Sequence, residues 1–152
     1  MKLYEHCPDI PDLPPHLLAL ITEENARQSL SSFVARDGER YEVPWFSAHD
    51  ILFPEVIEFL RPHFEPDMKI KIQLMTRELL IHKDQKRTSC YNYLVNTGGN
   101  VSTVWFDDNK NEIERVILPE KKWYKLNVGV FHNIYDVIST RIAISVYKND
   151  IQ

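Results

Sequence analysis

From Met68 onward, apolar and polar residues exchange places at every second position. Ile70, Ile72 and Leu74 alternate with Lys69, Lys71 and Gln73. That two-residue period marks a strand with one wet face, because successive side chains leave a pleated backbone on opposite sides. Further strands are predicted over 78–82, 88–95, 101–107, 112–117, 122–128, 131–135 and 140–148. Turns fall at Thr97-Gly98-Gly99-Asn100 and Asp107-Asp108-Asn109-Lys110. Short strands at such even spacing bury their apolar faces by closing into a sandwich or barrel, and the jelly roll is the eight-stranded version of that size.

The first 65 residues are built differently. Pro8, Pro11, Pro14 and Pro15 remove backbone donors and fix φ, which predicts an extended arm. Leu17, Leu18, Leu20 and Ile21 then fall at helical spacing, with Glu23, Glu24, Arg27 and Gln28 opposite, until Ser29-Leu30-Ser31-Ser32 ends the helix. Asp37-Gly38 between Ser32–Arg36 and Arg40–Val43 predicts an accessory β-hairpin. Ser47-Ala48-His49-Asp50 reads as a capping box, and Pro54 opens a helix through Val56, Ile57, Phe59 and Leu60 that Pro62 stops. The whole is read as one mainly β domain with N-terminal helices (α+β): arm, helices and hairpin over 1–65, jelly-roll core over 66–152.

With 43% hydrophobic and 26% charged residues, the 152-residue chain has the make-up of an ordinary globular domain. A net charge of −4 gives no global electrostatic reason to bind nucleic acid. Met1-Lys2-Leu3-Tyr4-Glu5-His6 lacks the apolar core of a signal peptide, and no stretch nears the roughly 20 apolar residues that span a bilayer, so a cytoplasmic protein without membrane contact is expected. Cys7 and Cys90 lie far apart and form no CxxC, which fits two reduced thiols, Cys90 in a strand.

Chemistry concentrates where the apolar run Leu79-Leu80-Ile81 ends in His82-Lys83-Asp84. Residues two apart on a strand point the same way, so His82 and Asp84 can aim an imidazole and a carboxylate at one point. With His132 from a second strand they would form a 2-His-1-carboxylate facial triad, which occupies half of an octahedron and leaves the rest for other ligands of a non-haem Fe(II) ion. His63-Phe64-Glu65 has the same spacing but sits between Pro62 and Pro66, where no strand is expected, and is read as a surface loop. In Arg141-Ile142-Ala143-Ile144-Ser145-Val146-Tyr147, Arg141, Ala143 and Ser145 share one face. A guanidinium beside two small residues describes a pocket, and its occupant is either a bidentate anionic ligand or an ordinary salt-bridge partner.

Taken together, His82-Lys83-Asp84, then Arg87-Thr88-Ser89-Cys90-Tyr91-Asn92-Tyr93-Leu94, then His132 and Arg141 resemble the 2-oxoglutarate/Fe(II)-dependent oxygenases over about half of the chain. The family pattern is HxD, a distal His, and an Arg or Lys about ten residues beyond, and the step from His132 to Arg141 fits it. Cys90–Leu94 and Thr140–Val146 look most like the prolyl hydroxylase branch. The resemblance implies a double-stranded β-helix in which His82, Asp84 and His132 hold Fe(II) and Arg141 takes the distal carboxylate of 2-oxoglutarate, with hydroxyls from Tyr93 and Ser145. It further implies O₂-dependent hydroxylation of a substrate C–H, in a peptide or small molecule, with release of succinate and CO₂. Arg87, Asn92, Trp105 and Asn127 are the remaining pocket candidates. Ala143 stands where plant-type and penicillin-forming branches carry Ser, and Asp84 in place of Gly or Ala favours hydroxylation over halogenation. A metal-dependent cupin-type enzyme that does not use 2-oxoglutarate, or a non-catalytic jelly-roll binding module, would be built on the same strands.

Overall fold

The strand period is realised in β5 (Lys69–Met75), β6 (Ser89–Asn96), β7 (Ser102–Phe106), β8 (Glu112–Val116), β9 (Trp123–Asn127), β10 (His132–Tyr135) and β11 (Arg141–Tyr147). These come from a computed structural model, which describes residues 1–28, 33–36, 39–42, 44–48 and 50–151. Before them lie β1 (Tyr4–His6), α1 (Pro15–Leu18), α2 (Glu23–Ala26), β2 (Phe33–Arg36), β3 (Glu39–Glu42), β4 (Trp45–Ser47) and α3 (Pro54–Leu60). One antiparallel sheet has the order β1-β9-β6-β11-β5-β4, a second has β10-β7-β8, and β2 and β3 pair by themselves. The two larger sheets form the jelly roll. Among the described residues, no helix is long and apolar enough to cross a membrane.

β11 shows how the layers are sorted. It pairs with β5 from Arg141↔Met75 to Tyr147↔Lys69, and with β6 on its other edge. Ile142, Ile144 and Val146 join Leu13, Leu17, Ile21, Val56 and Leu60 in the main core cluster, so one face of the large sheet is covered by the N-terminal helices. Ala143 belongs to a second cluster with Leu94 and Leu118. Tyr4 of β1 stacks on Trp105 of β7 at 5.6 Å between ring centroids, which places this second face against the small sheet. Ile142, Ile144 and Val146 are at most 4% exposed, and full burial of three such side chains is worth about 5–9 kcal/mol in area terms.

Two expectations are corrected. Residues 78–82 form no strand; among the described residues the only ladder contact there is an isolated bridge at His82. The backbone acceptors of that segment serve side chains instead, Leu79 O taking Asn133 Nδ2 and Leu80 O taking His82 Nδ1, and Leu80 itself is 86% exposed. The predicted first helix breaks in two, because Thr22 Oγ1 caps Asn25 N at 3.1 Å and starts α2 afresh. Ser47 closes β4, a 3-10 turn follows at Asp50–Leu52, and α3 begins after Phe53 with Pro54 in its first turn; the capping box at 47–50 includes His49, which lies outside the described residues. β1 and β4 went unread, since three residues are too few to display a period. In the hairpin, β2 and β3 pair in the register Phe33↔Glu42 to Arg36↔Glu39. Its turn, Asp37-Gly38, and the helix stop at 29–32 lie outside the described residues.

Candidate metal centre

β10 opens with His132, and its free edge is occupied by the incoming segment that carries His82. His82 N donates to His132 O at 3.1 Å and His132 N to His82 O at 2.7 Å, closing a hydrogen-bonded antiparallel pair. Residues paired in this way project from the same face, so the two imidazoles are neighbours by register. Asp84 N donates to Val128 O at 2.9 Å and continues the contact. Alternation sends Asp84 to the side of His82 and Lys83 to the other, where its Nζ lies 4.9 Å from the centroid of the Phe131 ring.

The three side chains converge. Asp84 Oδ1 is 3.8 Å from His82 Nε2 and 3.7 Å from His132 Nε2, the imidazole centroids are 4.5 Å apart, and one ligand atom from each residue lies within 4.8 Å of the other two. Each ring is held by a carbonyl two residues back: His82 Nδ1 is 2.7 Å from Leu80 O, and His132 Nδ1 is 2.7 Å from Val130 O. A carbonyl only accepts, so both Nδ1 atoms carry the proton and both Nε2 lone pairs face Asp84 Oδ1. Asp84 Oδ2 is taken by Arg87 Nε, and the Arg87 guanidinium lies 3.9 Å from the Tyr147 ring centroid. One carboxylate oxygen is thus clamped while the other joins two bare imidazole nitrogens. Three lone-pair donors turned on one point repel each other until a cation sits between them, and this donor set suits Fe(II) with open positions left over.

Burial holds the His132 pKa below the usual imidazole value of 6.5, helped by His82 and Arg87 and opposed by its bond to Val130 and by Asp84. The sign follows from the two states. Below pH 6.5 the unfolded chain protonates this imidazole while the folded one keeps it neutral, so folding stability falls as pH falls through that range. We expect the metal-free protein to melt at a lower temperature at about pH 5.5 than at about pH 7.5, and His132→Gln to shrink that difference. An unchanged gap in the variant would mean that other groups control it.

The remaining candidates divide by face. Arg141 is 6% exposed, and among the described residues it has no carboxylate partner; Nη1 donates to Thr97 O at 3.2 Å. Burial alone pushes its pKa down to about 10. Alternation along β11 puts Arg141 with Ala143 and Ser145 on the face toward the small sheet. Ser145, 1% exposed, sets its Oγ against the Cys90 thiol, and that oxygen has no other hydrogen-bond partner among the described residues. Asn92 pairs with Ser145 and shares its face. Trp105 pairs with His132, and its Nε1 donates to Asn127 O at 2.8 Å; Asn127 Oδ1 accepts from Gly129 N, so both residues brace the wall. Tyr93 is not brought to the site: it pairs with Ile144 on the helix-covered face, packs on Trp123, and its hydroxyl accepts from Leu13 N at 3.4 Å. In the decoy pair, the His63 ring lies tilted against Phe59, 6.0 Å between centroids, while Glu65 Oε2 accepts from Lys148 Nζ.

Gln73 and Thr103 are among the buried polar residues that sequence reading missed. Gln73 is 7% exposed and Thr103 5%, and Gln73 Nε2 and Thr103 Oγ1 have no hydrogen-bond partner among the described residues. Gln73 had looked like the wet face of its strand together with Lys69 and Lys71, and a buried polar face has the same period as a solvated one.

No family model and no curated protein matches this sequence. Among solved structures, AviO1 from Streptomyces viridochromogenes Tue57 superposes with a TM-score of 0.53 at 15% identity, over 94% of this chain and 87% of that one. Procruciferin, an 11S globulin from Brassica napus, gives 0.45 at 12% identity over 80% of this chain and 28% of its own. IDO from Bacillus thuringiensis gives 0.41 at 12% identity over 66% and 58%. At such identities the likeness to AviO1 is one of fold alone.

Proposed function

We propose that this jelly roll is a 2-oxoglutarate- and Fe(II)-dependent oxygenase that hydroxylates a C–H bond of a peptide or small molecule. The observation that carries the reading is Arg141, a buried guanidinium without a carboxylate partner among the described residues, on the interior face of a fold whose other sheet presents the His82–Asp84–His132 cluster. A charged group is rarely kept out of water unless something anionic meets it. A dicarboxylate that reaches from a metal ion to that guanidinium answers both features. Iron, when bound with 2-oxoglutarate and O₂, would supply the oxidation that converts substrate C–H to C–OH and 2-oxoglutarate to succinate and CO₂.

The chain's own residues have defined parts in this reading. His82 and His132 offer Nε2 and Asp84 offers Oδ1, Arg87 holds the carboxylate in the orientation that exposes that oxygen, and Trp105 with Leu94 and Leu118 keeps water from the interior. Arg141 binds the distal carboxylate, and Ser145 Oγ is available to it. A peptide or small molecule is favoured over nucleic acid because the net charge is −4 and the basic residues are scattered along the sequence.

Anaerobic addition of 2-oxoglutarate to the Fe(II)-loaded protein should produce a weak visible charge-transfer band, and exposure to O₂ should then release succinate. His82→Ala should abolish both. Absence of the band in the wild type would exclude 2-oxoglutarate chelation and favour a cupin-type metal site of another kind. Equal succinate from wild type and variant would remove His82 from the reaction.

A further inference from the structure

We propose that Gln73 reads the distal carboxylate of the 2-oxo acid, its Nε2 donating to the carboxylate held by Arg141; this rests on the function proposed above. The register supplies the geometry. Gln73 of β5 lies directly opposite Ala143 of β11, and Arg141 and Ser145 are the positions two before and two after Ala143 on the same face. Directly paired residues in an antiparallel ladder have their Cβ atoms about 4.5–5.5 Å apart, and diagonal neighbours stay within reach of long side chains. The Ala143 methyl therefore forms a low floor, with a cation at one end, a hydroxyl at the other and a carboxamide along the side.

Gln73 is 7% exposed, and its Nε2 has no partner among the described residues. Buried amide nitrogens are almost always paired, so an unpaired one on an interior face that also holds a guanidinium without a carboxylate partner among the described residues asks for an acceptor. Arg141 spends one N–H of Nη1 on Thr97 O, and among the described residues its others have no partner. A carboxylate taken out of water has more lone pairs than one guanidinium fills, and a neutral carboxamide adds donors without adding charge. A keto acid that ends in a methyl group would leave both Arg141 and Gln73 unanswered, so the pair selects a second carboxylate at the far end.

The test uses the full chain loaded with Mn(II), titrated calorimetrically with 2-oxoglutarate and with 2-oxobutyrate, which keeps the chelating end and lacks the distal carboxylate. Gln73→Leu should weaken 2-oxoglutarate binding about tenfold, as expected for one lost charge-assisted hydrogen bond, and leave 2-oxobutyrate unchanged. Gln73→Met repeats the measurement should the leucine variant fold poorly. The metal-free thermal midpoint should hold or rise in both, because Gln73 Nε2 has no partner among the described residues to lose; a large drop would show a structural role and overturn the proposal. Equal 2-oxoglutarate affinity in wild type and variants, or equal weakening of both keto acids, would also overturn it. Should the wild type bind neither keto acid, the functional reading itself fails, and that is visible before any variant is made.

Discussion

Asp84→Asn should lower divalent-metal affinity by more than about 100-fold while the apo protein stays within about 1 kcal/mol of its original stability. The asymmetry comes from the two oxygens of the carboxylate. Oδ2 is engaged by Arg87 and Oδ1 faces two imidazole nitrogens 3.7 and 3.8 Å away. An amide in the same place has one oxygen, and the partly buried guanidinium of Arg87, 17% exposed, claims it. The NH₂ group is then left pointing at the two Nε2 lone pairs, where it repels a cation but relieves the crowding of three acceptors in the empty site. Asp84→Ala is the informative companion. It strands Arg87 against the Tyr147 ring with no anion, and should cost about 1–3 kcal/mol of stability besides the metal site. Metal titration and thermal melts of the two variants separate these effects. Wild-type metal affinity in Asp84→Asn would mean that the carboxylate is no ligand.

Much of this was legible in the sequence, because period and spacing are local properties. All seven core strands from β5 to β11 are among those the sequence predicts; His132 and Arg141 open β10 and β11, and His82 and Asp84 follow the apolar run Leu79-Leu80-Ile81, where the pattern itself marks a change. Which face a residue takes relative to a neighbouring strand is another matter. Tyr93 shows the difference. The pairing of β11 with β6 slips between Ile142 and Ala143, so Tyr93 lands opposite Ile144 and Asn92 opposite Ser145. A one-residue slip exchanges every side chain between the faces, and nothing in Cys90-Tyr91-Asn92-Tyr93-Leu94 announces it. Gln73 was misread for the same reason: one strand cannot tell whether its polar side meets water or a closed interior. Arg87 was placed only as a pocket candidate, since its grip on Asp84 depends on the turn between them.

Arg141→Met should have the opposite signature to an ordinary core lesion: a more stable apo protein that no longer binds 2-oxoglutarate. Burial pushes the guanidinium pKa from 12.5 down to about 10, and below pH 10 the folded state still carries the charge. The cost of holding that proton out of water is therefore present throughout the neutral range, and the shift corresponds to about 3 kcal/mol. Methionine keeps much of the apolar stem and removes the charge, at the loss of the bond to Thr97 O. A net gain of about 1–2 kcal/mol is expected, which for a domain of this size raises the melting temperature by roughly 2–8 °C. Ligand binding moves the other way, because the distal carboxylate would enter the interior without its counter-charge; a loss of 100-fold or more is expected, with metal affinity little changed. Melting curves of the apo proteins and calorimetric titrations with the metal and then with 2-oxoglutarate provide the readings. A strongly destabilised variant would show that Arg141 is held by protein contacts after all, and equal loss of metal and 2-oxoglutarate binding would show that it supports the site as a whole.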